Sequence, residues 1–570
     1  MKQVIDITPK QQTILLIVIL SASMLLAFHH NGQIDDAFIS YRYAQNLVEG
    51  HGLVWNPGEY VEGYSNYLWV LLLAMGLKFG IAPENFSFFL AMPFHLIGLI
   101  FTYLLARKML IGGKEKSAGE HLPDNNGINP NIWPLLVLLW VGTNHSLAAF
   151  AKSGLETSLQ FMLFTIIAYV VSASVQEGWS IKQIIITSLL LNIALLTRPD
   201  SIILIIVVGW IFHKSHIIKF PKDAKAKDAG AKRMLDLSLF NLPFLLLFVT
   251  YFLWKAKFYG SFLPNSATVK LGGVGHFDYG LYYLYLFTIC HLLAPFVIMA
   301  IWRGRWLLRT NVQVGGLALF TLIWAGYIVY VGGDFMEFRF MVPVLPLMGI
   351  VIVYVLTRSI KNPAILTALA ALLLIGNVNS RFTLEKTVQG YGIEKAESLV
   401  SHVSGEVQNW TGIGKKLGEM FEGTDVSIAV GAAGAIPYYS GLRAIDFLGL
   451  CDAEIPKIGE KFTIVPGHRI IAPIEYLVNR KVNLIIEPNN FMMSKRNFQS
   501  WVRVAGWRSM YKLNLNVDKM VNGSLINEAR FLAIPIEPDH VLVAWYLTNH
   551  PAIEEAIGKY GLNRIRLNRR

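Results

Sequence analysis

The sequence predicts a mainly α-helical membrane protein with about 11 transmembrane helices and a C-terminal extracytoplasmic α/β domain. Three observations carry this. Only 15% of the 570 residues are charged and 54% are hydrophobic, whereas a soluble domain carries about 25% charged residues. The apolar residues gather into blocks, and crossing a bilayer takes roughly 20 residues per helix. After residue 378 the composition changes to short apolar runs with β character. A disordered chain, a disulfide-rich secreted domain and a collagen-like fibre are excluded on the same grounds.

The predicted spans are 12–30, 85–106, 132–150, 156–174, 182–197, 200–213, 238–258, 280–302, 313–331, 340–357 and 363–378. The first follows Lys2 and Lys10, and the small residues Ser21-Ala22-Ser23 lie inside its apolar run. It reads as an uncleaved span and not as a signal peptide. The block 67–80 is apolar but too short to cross a core of roughly 30 Å at ~1.5 Å per residue. Loop charge points the same way. With the N-terminus inside and 67–80 not crossing, inside loops hold 19 Lys and Arg and outside loops hold 8. A crossing at 67–80 would move the basic loops 107–131 and 213–237 outside and reverse this bias, so 67–80 is expected to be interfacial or re-entrant. The net charge of +12 is then a topology signal, and no nucleic-acid partner is implied. Cys290 falls in an apolar block and Cys451 far downstream, so neither a disulfide nor a CxxC metal site is expected.

An odd number of spans leaves residues 379–570 outside, enough for one domain. Val426–Gly431, Val482–Ile486, Phe531–Ile534 and Val541–Trp545 read as strands, with helices near 405–421 and 470–479. The chain thus divides into 1–378, a membrane catalytic domain with an outer loop at 31–84, and 379–570.

The polar residues gather on the outer face, in the loop 31–84 and the turns KSGLET, RPD and GGDFMEFRF. Ionisable residues near a membrane are costly and usually functional. Asp35 and Asp36 precede an amphipathic helix whose apolar stripe is Phe38, Tyr41, Ala44, Leu47 and Val48. Asp35 and Arg42 lie on one face of it, about 10 Å apart along the axis. Either Asp could cap the helix. Two adjacent aspartates do not both need to cap, and the other could take a proton from an acceptor hydroxyl. The pair could also hold a divalent cation, although no D-x-D spacing is present. Glu62 is either a solvated loop charge or part of the site. Tyr64, Tyr67 and Trp69 read as interface anchors. Lys152 and Glu156 form an ion pair at a helix start or belong to the site. Asp334, Glu337 and Arg339 form an ion-pair cluster or part of a phosphate site. A phosphate leaving group needs fixed cations, and Arg42, Lys152, Arg198 and Arg339 are the candidates, two of which are expected to contact it. His95 and His291 are isolated in apolar runs and read as packing residues.

The segment DDAFISYRYAQNLVEGHGLVWNPGEYVEGYSNYLW resembles the first outer loop of GT-C glycosyltransferases, most of all the group with the mycobacterial terminal arabinofuranosyltransferases. SGLETSL, LLTRPDS, GGDFMEFRFMVPVLP, the tail segment GAAGAIPYYSGLRAIDFLGLCDAEI and PGHR are similar to later motifs of that group. The resemblance implies an inverting enzyme of the bacterial inner membrane with a periplasmic C-terminal domain. Its donor would be a polyprenyl-phosphate sugar, a pentose such as arabinofuranose in the mycobacterial members, and its acceptor an envelope glycan or glycolipid. It implies that Asp36 or Asp35 is the general base and Glu62 a second acidic position. Glu156, Asp334 and His468 stand beside Arg42, Lys152, Arg198 and Arg339 as the candidate substrate or phosphate contacts. Gly431, Gly434, Asp446, Asp452 and His468 are the matching tail residues, with Asp446 and His468 either a structural pair under the active site, the favoured reading, or a pair that helps to hold the acceptor. The glycine-rich turn lacks GxGxxG and a Walker lysine, so no nucleotide is expected. No cofactor is implied beyond a divalent cation, with Asp35 and Asp36 its candidate ligands. The sequence is rich in Lys, Ile and Asn, which favours a Gram-negative envelope enzyme. A lipid-linked sugar flippase, a non-catalytic envelope protein and a protein O-glycosyltransferase are the competing readings.

Overall fold

The computed structural model describes residues 7–30, 32–111, 128–217, 226–271, 277–387, 393–405, 408–462, 465–487, 492–504 and 528–568. The charged centres of loops 107–131 and 213–237, and residues 406–407 of an expected helix, lie outside them. Every predicted apolar block is helical. Among the described residues eight helices are long and apolar enough to cross a membrane, from Pro9–His29 to Pro363–Leu384, or nine if a bent pair is taken as one span. Their ends follow from local sequence. Thr8 and Gln11 form a capping box before Pro9, and Ser180 and Gln183 do the same before Ile181–Thr197. Gly332 ends Val312–Val331 in the left-handed region that glycine adopts without cost.

Two blocks differ from the expectation. The block 132–150 is Ile132–Gly142 followed by a separate helix His145–Phe150, which Asn144 caps through Leu147 N. The block 280–302 is not one straight span. Phe277–Cys290 and Ala294–Arg309 meet at 112°, with Leu292 in the left-handed region (φ 52°). Asn379 donates to the freed Cys290 carbonyl at 2.9 Å, and a Cβ at Gly376 would collide with the His291 carbonyl. The bend is therefore held by the helix Pro363–Thr387. The helix Tyr67–Lys78 has 12 residues, about 18 Å, which is too short to cross.

The tail carries a mixed sheet. Its strands, with a separate two-stranded ribbon, are β1 (Ser427–Val430), β2 (Arg443–Asp446), β3 (Glu460–Lys461), β4 (Ile470–Ile471), β5 (Leu484–Ile486), β6 (Met492–Ser494), β7 (Glu528–Glu537), β8 (His540–Tyr546) and β9 (Asn563–Asn568). The order is β2-β1-β5-β8-β7-β9, with β6 also on β8 and β3 paired only with β4. β1 runs parallel to β2 and β5 and is buried along its whole length, as a central parallel strand is. The four predicted strands are all present. The expected helix at 470–479 begins instead as β4 and becomes helical only over Ile474–Asn479, because Pro473 cannot continue a preceding helix but suits the start of a new one.

Candidate active site

The adjacent aspartates have different surroundings. Neither is the N-cap of its own helix, Asp35–Val48, whose N-cap is Ile34. Asp35 instead accepts the backbone N–H groups of Gly434 (2.9 Å) and Ala435 (2.7 Å). It thus caps the helix Ala435–Ser440 in the tail, nearly 400 residues away. Arg42, two turns along the same face, holds the other end of that helix. It donates to the carbonyls of Leu442 (2.7 Å) and Pro437. It also donates to Trp55 O at 2.6 Å and Asn56 Oδ1 at 3.0 Å, and its guanidinium lies 5.1 Å from the Trp55 ring. A carboxylate at the N-terminus and a guanidinium at the C-terminus match the helix dipole. Asn56 extends the joint by exchanging hydrogen bonds with the backbone of Ala444. Glu59 pairs with Arg443 and Arg480, each at 2.7 Å. Burial would raise the Glu59 carboxyl, but bonds from Arg443 and Asn56 outweigh it and hold the group below its ordinary range.

Asp36 faces a cavity of roughly 330 Å³ enclosed between the first loop, the turns of the helical bundle and the tail. Its side chain is 34% exposed and lies 3.9 Å from Arg339. Arg339 also pairs with the fully buried Asp334 at 2.7 Å, and its Nε is buried with no hydrogen-bond partner among the described residues. Arg198 lines the same cavity and is bound by Glu156 (2.6 Å) and Asp200 (2.8 Å). Phe340 packs against both guanidiniums, 5.5 Å from Arg198 and 5.4 Å from Arg339. Glu156 is further fixed by Asn66 (2.7 Å) and Asp200 by Gln160 (2.8 Å). The tail closes the cavity with Gly431–Ala433, Phe447, His468 and Glu487. Burial pushes the Glu487 carboxyl up to about 7.

Of the residues named from sequence, Asp35, Asp36, Glu156, Arg198, Arg339 and His468 line the cavity, as does Gly431. Asp334 stands behind Arg339. Arg42 is turned into the joint, with its donors on backbone carbonyls and Asn56. Lys152 lies over the Phe88 ring at 5.1 Å, outside the cavity lining. Glu62 is not a solvated loop charge. It is buried against Lys255 at 2.6 Å, just behind the lining residues Gly63–Asn66. Burial pushes its carboxyl up to about 7 despite Lys255. Both Asp446 oxygens accept backbone N–H groups, from Leu448 and Cys451, and Asp452 caps Glu454 and Ile455. His468 packs edge-on against Phe335 at 5.0 Å. Each Asp35 oxygen already accepts one N–H group of the tail backbone, which leaves one lone pair on each for any further partner. The anchor reading of the aromatics is corrected too. Trp69 is fully buried and donates to Gly154 O, and Tyr64 is buried against Tyr43 and Tyr259. His95 and His291 are hydrogen-bonded packing residues, to Ser23 and Asn144.

Sequence reasoning missed Asn66, Lys255 and Glu487. Lys255 carried a usable signal, since it is a cation inside an apolar helix, where an ionisable side chain needs a partner. Asn66 and Glu487 carried none, because short polar residues in loops have no distinguishing pattern.

Residues 401–525 match a family described as a domain of unknown function (DUF8728). In sequence the chain is 25% identical over 356 residues to a terminal β-(1→2)-arabinofuranosyltransferase of Corynebacterium glutamicum, an alignment covering 56% of this chain and 47% of that protein. The chain therefore spans about half the length of the curated relative it matches. In structure it is similar to ArnT from Cupriavidus metallidurans bound to undecaprenyl phosphate, with a TM-score of 0.51 at 11% identity over 94% of this chain and 98% of that one. It is also similar to the oligosaccharyltransferase AglB of Archaeoglobus fulgidus, in complex with an inhibitory peptide and a dolichol-phosphate, with a TM-score of 0.50 at 10% identity over 94% of this chain and 74% of that one. A bundle of apolar helices, a polar cavity at the mouth of its first loop and an α/β tail closing that cavity make up a fold that this chain shares with these two solved structures.

Proposed function

We propose that this protein is an inverting glycosyltransferase that moves a sugar from a polyprenyl-phosphate donor to an envelope glycan or glycolipid. The reaction would take place on the outer face of a bacterial inner membrane. The observation that carries the reading is the division of labour between the adjacent aspartates: Asp35 is tied to the tail, while Asp36 stands in the cavity beside Arg339.

In the proposed step an acceptor hydroxyl oxygen attacks the anomeric carbon. The bond from that carbon to the phosphate oxygen breaks, polyprenyl phosphate leaves, and Asp36 takes the hydroxyl proton. Proton removal by a placed carboxylate contributes ~10²–10⁴-fold. Arg339 and Arg198, held as a pair by Phe340, are the cations for the leaving phosphate. Their fixed geometry lets them act without reorganisation. Carboxylates outnumber guanidiniums around the cavity, which favours the positive charge that builds on a sugar ring as its glycosidic bond loosens. The sugar proposed first is a pentose such as arabinofuranose, on the strength of the curated relative. The working division is a catalytic membrane part at 1–378 and a tail at 379–570 that holds the acceptor through the Glu487 side of the cavity.

The test is a transfer assay on protein in nanodiscs with a panel of polyprenyl-phosphate sugars and envelope glycans. Wild type should consume one donor. Asp36→Asn should lower kcat by ~10²-fold or more with an unchanged thermal midpoint. Transfer by Asp36→Asn at the wild-type rate would overturn the assignment of the base. Consumption of no donor by wild type would overturn the enzyme reading for that panel.

A further inference from the structure

We propose that His30, His145 and Glu397 bind a divalent transition-metal ion of the zinc class, which ties the tail to the end of the first helix. The three residues come from separate segments. His30 ends the helix Pro9–His29, His145 starts the short helix His145–Phe150, and Glu397 lies in the first turn of Ala396–Ser404. Their ligand atoms all lie within 4.8 Å of one another. His145 Nε2 is 3.1 Å and His30 Nδ1 is 3.9 Å from Glu397 Oε1. Ligands of a tetrahedral zinc ion, at about 2.0–2.1 Å from the metal, stand about 3.3–3.4 Å apart. The two carboxylate contacts are within about half an ångström of that spacing, and closing the widest separation the cluster allows, 4.8 Å, takes up to about 1.5 Å, within reach of a rotamer adjustment.

Chemistry and charge support the same occupant. Two imidazoles and one carboxylate form a mixed nitrogen and oxygen set, which suits zinc and its first-row neighbours better than calcium or magnesium. A second carboxylate, Glu337, lies 3.8 Å from His145 Nε2. It is fixed by the Ser146 hydroxyl (2.8 Å) and the Ala396 N–H (3.1 Å), and is placed to orient or complete the site. Two carboxylates face the divalent charge, opposed in part by the nearby Arg381 guanidinium, in a location where both histidines are mostly buried. The sequence candidates for a cation, Asp35 and Asp36, are not members of this cluster.

The ion would have a positioning role. The helix Ala396–Ser404 supplies Leu399 and His402 to the cavity wall, and its Val400 packs so closely on Gly32 that a Cβ there would collide with it. Fixing Glu397 therefore fixes one wall of the cavity against the loop that carries Asp36.

The test uses tag-free full-length protein in nanodiscs, stripped with a chelator, re-equilibrated with zinc chloride and desalted. Metal per chain is read by mass spectrometry, and cobalt(II) replaces zinc for visible spectroscopy. One ion per chain and a metal-dependent rise in thermal midpoint are expected for wild type. His145→Asn and Glu397→Gln should each weaken uptake by at least ~10-fold and lose that rise, while Asp36→Asn keeps both. Failure of stripped wild type to take up a stoichiometric ion overturns the proposal. So does uptake by His145→Asn and Glu397→Gln equal to wild type. Should either variant not fold, wild type loaded with cobalt decides alone: a spectrum of a low-coordinate nitrogen-ligated site supports the site, and that of hexaaqua cobalt overturns it.

Discussion

Replacing Asp35 by alanine separates the two aspartates most sharply. The substitution removes two hydrogen bonds, at 2.9 and 2.7 Å, from the backbone of Gly434 and Ala435; burial pushes the Asp35 carboxyl up to about 7, so they are charge-assisted above that pH. Bonds to a charged group contribute about 1.5–3 kcal/mol each, and the two share one carboxylate, so about 3 kcal/mol is the expected loss at this joint. Arg42 still holds the far end of the helix Ala435–Ser440, which keeps the failure local. A local loss of about 3 kcal/mol corresponds to roughly 10²-fold faster amide exchange. The assay is hydrogen–deuterium exchange on peptides covering 431–441, in nanodiscs at fixed pH. Asp35→Ala should open this segment, with the helical bundle unchanged, and Asp36→Asn should leave it protected. Wild-type protection of 431–441 in Asp35→Ala, together with a complete loss of transfer, would refute the clamp and return Asp35 to the role of base.

Other outcomes follow from neighbouring contacts. Gly434→Ala should also loosen the joint, because its Cβ would collide with the Asp35 carbonyl; rapid proteolysis of the tail is the readout, and wild-type resistance would count against it. Above about pH 7, where the raised Glu62 carboxyl is ionised, Glu62→Gln should destabilise by about 3–5 kcal/mol by leaving Lys255 buried without its counter-charge, whereas Glu62→Gln combined with Lys255→Met should recover part of that; thermal midpoints of the single and double variants decide it. Glu59 is held below its ordinary carboxylate range in the fold. Its contribution to docking is therefore present at neutral pH and is lost as pH falls from the ordinary carboxylate range down through the lowered pKa of the folded group. Glu59→Gln should flatten that acid dependence, as followed by protection of the Arg443 and Arg480 segments.

What the sequence determined by itself was the set of apolar helices, the strands of the tail and the chemistry gathered on one face. These are written in local period and composition. Hydropathy located the apolar helices, and short apolar runs with β character located β1, β5, β7 and β8. It did not show the 112° bend at His291–Leu293, because that bend depends on Asn379 and Gly376 from another helix. The spacing of Asp35 and Arg42 showed that they share a helix face, but not that the face belongs to the tail. Only the tertiary structure decided that, by bringing Gly434 and Leu442 to them across roughly 400 residues of chain. The same packing left Asp36 to the cavity, set Arg198 and Arg339 against Phe340, and buried Glu62 against Lys255. A carboxylate's role depends on what donates to it, and those donors come from distant segments that no local pattern links.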